Sequence, residues 1–144
     1  MDKNIGRELF ILVNKMKRLL DKYQQRNGIY SSQARILTYL YRRQDEKTYQ
    51  KDIEQAFQIR GGTVTGMLDG LIKLALIERL ESQTDKRKRK IVLTRKGEEY
   101  ALQAIETIKQ FEDVLKADIS IEQTKCFEEI INTLNKTIDE EETK

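Results

Sequence analysis

The most distinctive chemistry in this sequence is a basic block in the second half of the chain. Between Arg79 and Lys96, eight of eighteen residues are Lys or Arg and two are acidic, whereas the whole chain carries a net charge of only +3. Clustered cations neutralise phosphates and release their counterions. The block therefore predicts a localised site for a polyanion, although a run of charges at a solvated hairpin tip is the alternative.

The residue types that most catalytic and metal sites require are absent from the sequence. There is no His, which excludes an imidazole base, a Ser-His-Asp triad and a His-ligated metal. A single Cys excludes an intrachain disulfide and a Cys-cluster zinc site. The sequence also contains no recognisable nucleophile–base pair or phosphate-binding loop. We therefore expect neither an enzyme nor a bound metal or cofactor.

Length and composition predict one soluble domain. The 144 residues fit a single domain, and the absence of Pro favours long uninterrupted helices. The first residues lack the charged and apolar regions of a signal peptide. The longest apolar run, from Leu9 to Val13, is far shorter than the ~18 residues that span a membrane. We expect a cytoplasmic protein with no membrane partner.

Apolar residues recur at steps of three and four through most of the chain, which predicts helices. Two short strand candidates flank the basic turn and indicate a β-hairpin. Cys126 lies on the apolar face of the last helix, so we expect it to be buried. Thr94 and Ser120 are the predicted N-caps of the last two helices. The predicted helices cover residues 5–25, 63–75, 98–117 and 121–138, with one more capped by Ser31–Ser32 and a short one that runs from an N-cap at Thr48 to Phe57, and the strands cover 76–81 and 89–93.

The order of these elements indicates a winged helix-turn-helix, mainly α with a small β-hairpin wing. We expect residues 1–144 to form one domain, with the DNA-binding part at about 30–97. The helices at about 5–26 and 98–139 are too long and too apolar for a lone winged helix to cover. We expect these N- and C-terminal helices to form a symmetric dimer interface.

The stretch from Thr48 to Gly97 resembles the MarR family of bacterial transcription regulators. The family's wing pattern is D-x-R followed by L-T-x-x-G, and the helix order on either side also fits. The chain departs from the family at Gly66 and Gly70, where Arg or Lys is frequent, and at Ala75, where Gly is frequent. The matching segments are Ile59-Arg60-Gly61-Gly62-Thr63-Val64-Thr65-Gly66-Met67-Leu68-Asp69-Gly70-Leu71, Leu76-Ile77-Glu78-Arg79, Asp85-Lys86-Arg87 and Val92-Leu93-Thr94-Arg95-Lys96-Gly97.

The resemblance implies a homodimeric regulator that binds double-stranded DNA. We expect a repressor that binds an inverted-repeat operator and is relieved by a small-molecule effector. A winged-helix protein-interaction module without specific DNA binding is the alternative. The effector-binding residues stay unknown, because aromatic residues at helical spacing belong to a core more often than to a ligand site. The aromatic candidates are Tyr23, Tyr30, Tyr39, Tyr41 and Phe111.

The predicted DNA contacts lie on the recognition helix, on the helix before it and on the wing. Thr63 and Thr65 can reach phosphates or a thymine methyl group, and Gly62 allows the backbone to approach a phosphate. The resemblance suggests that Asp69 pairs with Arg87 and orients the wing, with an unpaired, exposed Asp69 as the alternative. The predicted DNA-binding residues are Gln50, Gly62, Thr63, Thr65, Gly66, Lys73, Lys86, Arg87, Lys88 and Arg89.

Overall fold

The computed structural model of the chain describes residues 4–81 and 88–144, which fall into two compact units, Met1–Ile108 and Lys109–Lys144. Among these residues, no helix is both long enough and apolar enough to cross a membrane. In chain order the elements are α1 (Ile5–Gln24), a 3-10 turn (Gln25–Asn27), α2 (Ser31–Arg42), α3 (Gln50–Phe57), α4 (Gly61–Lys73), β1 (Ile77–Glu81), β2 (Arg89–Leu93), α5 (Arg95–Lys116) and α6 (Ile121–Glu142).

This order confirms the predicted fold class, a mainly helical winged helix-turn-helix with one antiparallel hairpin. In the hairpin, Ile77 pairs with Leu93 and Glu81 pairs with Arg89. One difference concerns the start of α3, whose N-cap is Tyr49 rather than the predicted Thr48. The Thr48 carbonyl oxygen accepts a hydrogen bond of 2.7 Å from the Ile91 N–H, so the chain before α3 extends the sheet beside β2.

The core of the first unit lies between α2, α3, α4 and the hairpin. One face of α4 contributes Val64, Leu68 and Leu71, all of which are fully buried. Burial of each such side chain stabilises the fold by roughly 1.5–3 kcal/mol. Since these three side chains fix the inner face of α4, they also fix which residues of α4 face outward. The remaining largest buried side chains are Ile36, Leu37, Ile53, Leu76, Ile77 and Gln24.

A buried amide joins the end of α1 to α5. The Gln24 Nε2 donates to the Ala104 carbonyl oxygen at 3.2 Å, and the Asn27 Nδ2 donates to the Gln24 Oε1 at 2.9 Å. The same Asn27 amide donates to the Thr107 Oγ1 at 3.0 Å. These bonds satisfy the polar atoms of Gln24, whose burial would otherwise be unfavourable.

The recognition helix, α4, ends at Lys73, two residues before the predicted end at Ala75. The Leu76 N–H donates to the Leu71 carbonyl oxygen and the Ala75 N–H to that of Ile72, at 3.0 and 2.9 Å. This pair of bonds is a Schellman motif, which requires a left-handed residue after the helix. Ala75 has that conformation, with φ +60. An L-residue in this region is strained by about 1–2 kcal/mol relative to the right-handed helix.

Three hydrogen bonds fasten the end of α4 to the start of α5. The Lys96 Nζ donates to the Leu74 carbonyl oxygen at 3.0 Å, and the Thr94 Oγ1 donates to that of Ala75 at 2.7 Å. The Thr94 N–H donates to the Leu76 carbonyl oxygen at 3.1 Å. We call this set of contacts the α4–α5 clamp.

Gly97 allows the clamp to close. A Cβ at this position would collide with the Leu76 carbonyl oxygen. The Gly97 N–H donates to the Thr94 Oγ1 at 3.0 Å, which makes Thr94 the N-cap of α5. The L-T-x-x-G motif therefore has a physical basis, because its Thr caps α5 and its Gly permits close approach to the end of α4.

In the second unit, Ser120 and Gln123 form a capping box at the start of α6, with hydrogen bonds of 2.8 and 3.1 Å. Apolar residues on α6 are exposed, Ile121 at 73% and Phe127 at 49%. Cys126 is also exposed. The prediction that Cys126 is buried is wrong for the single chain, because the neighbouring apolar residues of α6 are themselves uncovered.

Gly97→Ala is expected to lower the free energy of unfolding by about 1–3 kcal/mol, because its Cβ forces the clamp apart. The corresponding fall in Tm is about 2–8 °C, measured by thermal unfolding at one fixed protein concentration. Gly66→Ala is the matched control: its Cβ meets no atom within 4 Å, so stability should rise, by up to about 1 kcal/mol. A Gly97→Ala variant as stable as the parent would contradict this account of the clamp.

Candidate nucleic-acid interface

An open groove of about 760 Å³ lies between α3, α4 and the hairpin. Of the ten described residues that line it, four are Lys or Arg and one is acidic, so this part of the lining has a positive charge that suits a polyanion. The lining residues are Tyr49, Gln50, Lys51, Asp52, Gln55, Thr65, Arg79, Lys88, Arg89 and Ile91.

The outer face of α4 borders this groove and carries small side chains. Thr63 and Thr65 are exposed there, as the sequence predicts for residues off the apolar face. Gly62 and Gly66 lie on the same side, and a Cβ added at either would meet no atom within 4 Å. The backbone of α4 is therefore open to close approach by a partner. Lys73 is exposed in the last turn of the helix.

The structure brings two of the predicted residues, Gln50 and Thr65, into direct contact. The Gln50 Nε2 donates to the Thr65 Oγ1 at 2.9 Å and to the Gly61 carbonyl oxygen at 3.3 Å. The Thr65 Oγ1 in turn donates to the same Gly61 carbonyl oxygen at 2.9 Å. Gln50 therefore fastens the start of α3 to the first turn of α4, a role that its position in the sequence did not suggest.

The described part of the wing places two predicted cations at the groove. Lys88 and Arg89 are both exposed and both line it. The Lys88 Nζ lies 5.7 Å from the centroid of the Tyr49 ring, within the range of a cation–π contact. Lys86 and Arg87 lie outside the described residues.

Asp69 pairs with a residue of the hairpin that sequence reasoning missed. The Arg79 Nη1 donates to the Asp69 Oδ1 at 2.9 Å, which joins α4 to β1. The Arg79 side chain is 21% exposed and the Asp69 side chain 54%. The predicted partner, Arg87, lies outside the described residues. Strand alternation could have found Arg79, because it lies two residues after the buried Ile77 and so on the same face of β1.

The first turn of α3 supplies other groove residues that the predicted set omitted. The Asp52 Oδ2 accepts a hydrogen bond of 2.8 Å from the Tyr49 N–H, which caps α3 and holds Tyr49 beside the groove. Lys51 and Gln55 are exposed on the same helix. From the sequence, Lys51 is a phosphate candidate together with Gln50, because both lie at a helix N-terminus, where the backbone N–H groups also attract anions.

The aromatic residues considered as effector contacts lie in different surroundings. Tyr39 packs edge-on against Phe57, with ring centroids 5.5 Å apart, and belongs with Tyr41 to the side chains packed on the core. Tyr30 is 65% exposed. Phe111 is buried and belongs to the second unit. Tyr39 and Tyr41 are therefore residues that pack on the core, which is the alternative to an effector contact.

The part of the chain that matches a known protein family contains the helix-turn-helix. A sequence model described as MarR family matches residues 27–88. The HTH-type transcriptional repressor YetL of Bacillus subtilis (strain 168) is 29% identical over 89 residues, which are 62% of this chain and 53% of that protein. The chain therefore spans about half the length of this relative.

Two solved structures show the same fold. The S. aureus MepR–DNA complex has a TM-score of 0.91 and 24% identity, covering 95% of this chain and 99% of that one. A mutant of MarR from E. coli complexed with operator DNA has a TM-score of 0.81 and 22% identity, covering 90% of this chain and 92% of that one. The likeness extends to the helices on both sides of the winged helix-turn-helix.

Gln50→Ala is expected to loosen the first turns of α4 without unfolding the chain. Loss of the two Gln50 bonds, each contributing about 0.5–1.5 kcal/mol, should speed amide hydrogen exchange there by about fivefold or more. Mass-spectrometric exchange of peptides covering Gly61–Leu68 measures the effect. Gln55→Ala, which removes the same amide from an exposed position on the same groove, should leave exchange unchanged. Equal exchange in the Gln50 variant and the parent would refute the fastening role.

Proposed function

We propose that this chain is a transcription regulator of the MarR family, and that it represses transcription by binding an inverted-repeat operator as a homodimer. The observation that carries the proposal is the exposed, small-residue face of α4 beside a groove with four cationic side chains. A helix of 13 residues is about 20 Å long, and a major groove admits such a helix.

In the proposed complex, α4 enters the major groove and the wing reaches the flanking minor groove. Lys51, Lys88 and Arg89 neutralise phosphates along the groove edges, and Lys73 does so at the far end of α4. The backbone N–H groups at Gly62 approach a phosphate, helped by the helix dipole. Lys86 and Arg87 continue the basic wing into the minor groove, where narrow A-tracts concentrate negative potential.

Exposed apolar side chains outside the winged helix-turn-helix support the homodimer. Ile5 and Phe10 on α1 are 70% and 75% exposed, and Ile121 on α6 is 73% exposed. Large apolar side chains at such exposure are typical of surfaces that a partner covers. We assign the DNA-binding part to residues 30–97 and the dimer contacts to 5–26 and 98–139. A two-fold dimer presents two copies of α4 to points about 10 base pairs apart.

The last part of the proposal is that a small-molecule effector relieves repression. A ligand that binds the non-DNA-binding geometry of the dimer more tightly shifts the population away from the operator complex. No cofactor or metal enters this scheme. The proposed regulator works by reversible binding of DNA and of one class of ligand that the sequence does not identify.

Lys88→Ala combined with Arg89→Ala tests the wing. With duplex DNA from immediately upstream of the chain's own coding sequence, affinity at about 0.15 M salt should fall by about 10–100-fold. The slope of log K against log salt should flatten by about 2, since each lost phosphate contact removes about 0.9. Fluorescence anisotropy over a salt series measures both quantities, with a scrambled duplex as reference.

The matched control removes two exposed cations that the proposal places neither on DNA nor in the dimer contacts, by Arg42→Ala with Lys144→Ala, and should leave the slope unchanged. Equal, weak binding of both duplexes by the parent would contradict operator recognition. Tight, salt-insensitive binding to a protein partner would then favour the protein-interaction module.

Phe10→Glu tests the homodimer. The parent should sediment at twice its 17.0 kDa chain mass, whereas a buried carboxylate at the proposed interface should shift the variant toward the monomer by at least tenfold in Kd. Gln55→Glu adds the same charge at an exposed polar position of α3, outside the proposed dimer contacts, and serves as control. Sedimentation equilibrium of a monomeric parent would overturn the dimer.

A further inference from the structure

We propose that α4 recognises thymine methyl groups in the major groove rather than the hydrogen-bonding pattern of the bases. This inference rests on the proposed function and names the kind of DNA sequence that the site selects. The inference follows from the chemical groups on the outer face of α4 that have no partner within the chain's described residues and can therefore contact DNA.

The side chains that make paired hydrogen bonds to bases are missing from α4. Arg and Lys bind guanine in this way, and Asn and Gln bind adenine. None of these four residue types occurs from Gly61 to Ile72. The nearest cations, Arg60 and Lys73, lie at the two ends of the helix. Direct hydrogen-bond recognition along the middle of α4 therefore has no donor pair.

The carboxylate on this helix is already engaged. A carboxylate can accept a hydrogen bond from the N4 amino group of cytosine. The Asp69 Oδ1, however, accepts from the Arg79 Nη1 at 2.9 Å and ties α4 to β1. Contact with cytosine would compete with this ion pair and loosen the hairpin that carries the basic wing.

The polar atoms of Gln50 and Thr65 are largely committed to each other. The Gln50 amide nitrogen donates to the Thr65 Oγ1 and to the Gly61 carbonyl oxygen. The Thr65 hydroxyl donates its hydrogen to the same carbonyl. Contact of Gln50 with adenine would compete with these bonds, and the part of Thr65 that makes no hydrogen bond is its methyl group.

The glycines of α4 provide an independent observation. A Cβ at Gly62 or Gly66 would meet no atom within 4 Å, so the fold does not require glycine at either position. Alanine there would stabilise the helix by up to about a fivefold change in the folding equilibrium. What glycine adds is close approach of the backbone to another molecule. Short threonine side chains can touch the floor of the major groove only if the helix lies deep in it.

The thymine C5-methyl is the apolar group that the major groove presents. The methyl groups of Thr63 and Thr65 match it in chemistry, and neither threonine is buried. The preferred half-site thus has thymines opposite the first turns of α4. Guanine there gains no paired hydrogen bonds, because no side chain of the helix between its two ends can donate to guanine N7 and O6 together.

The test begins with the duplex that the purified full chain enriches most from a pool with 30 randomised base pairs. Each thymine in the half-sites is then replaced by uracil, which removes only the methyl group. At one or two positions per half-site, we expect affinity to fall about fourfold, the effect of burying one methyl group. Replacing guanines or adenines by their 7-deaza analogues, which lack the N7 acceptor, should change affinity less than twofold.

Two variants of Thr65 locate the contact. Thr65→Ser keeps the hydroxyl and its bonds but loses the methyl, so its affinity should fall and uracil should weaken it no further. Thr65→Val keeps methyl groups and loses the hydroxyl, so the ratio of thymine to uracil affinity should stay near fourfold. The same pair of changes at Thr63 tests the second threonine.

The outcomes separate the two claims. If uracil duplexes bind as tightly as thymine duplexes while 7-deazaguanine weakens binding, this inference is overturned and the proposed function stands, with Arg60 or Lys73 reading guanine. If the pool yields no duplex that binds better than the unselected pool, the proposed function fails and this inference fails with it.

Discussion

The presentation of the recognition helix depends on the α4–α5 clamp. Three carbonyl oxygens at the end of α4 accept hydrogen bonds from Thr94 and Lys96, and Gly97 leaves room for this contact. These carbonyls belong to Leu74, Ala75 and Leu76, which directly follow α4. The clamp thus joins the chain that leaves α4 to the first turn of α5.

Both apolar packing and polar contacts hold α4 in place. Val64, Leu68 and Leu71 set its inner face through burial, although its four glycines lower its intrinsic helix stability. Gln50 fastens its first turn to α3, and Asp69 fastens its middle to the hairpin through Arg79. A helix that is weak by itself is thus held at both ends and along one face. Its outer face is left free for a partner.

The local elements and their order are predictable from the sequence, because helical spacing and capping residues act over a few positions. Thr94 and Ser120 cap the helices where their sequence context indicates. Contacts between distant segments are not predictable in this way. The early end of α4 at Lys73 needs the clamp, and the pairing of Asp69 with Arg79 needs the hairpin to fold against α4.

The exposure of Cys126 was missed for a related reason. Helical spacing identifies an apolar face on α6 but does not say what covers it. Among the candidate DNA contacts, the residues of α4 followed from periodicity. The roles of Gln50 and Arg79 depend on atoms brought together from α3, α4 and β1, which no spacing rule in one segment encodes.

The most direct test of operator binding by a two-fold dimer is a hydroxyl-radical footprint of the full chain on its upstream DNA. The account predicts two equivalent protected stretches, related by a two-fold axis and centred about 10 base pairs apart, with the minor groove between and beside them also protected. A single protected stretch without two-fold symmetry, at saturating protein, would contradict a dimer that places one α4 in each half-site.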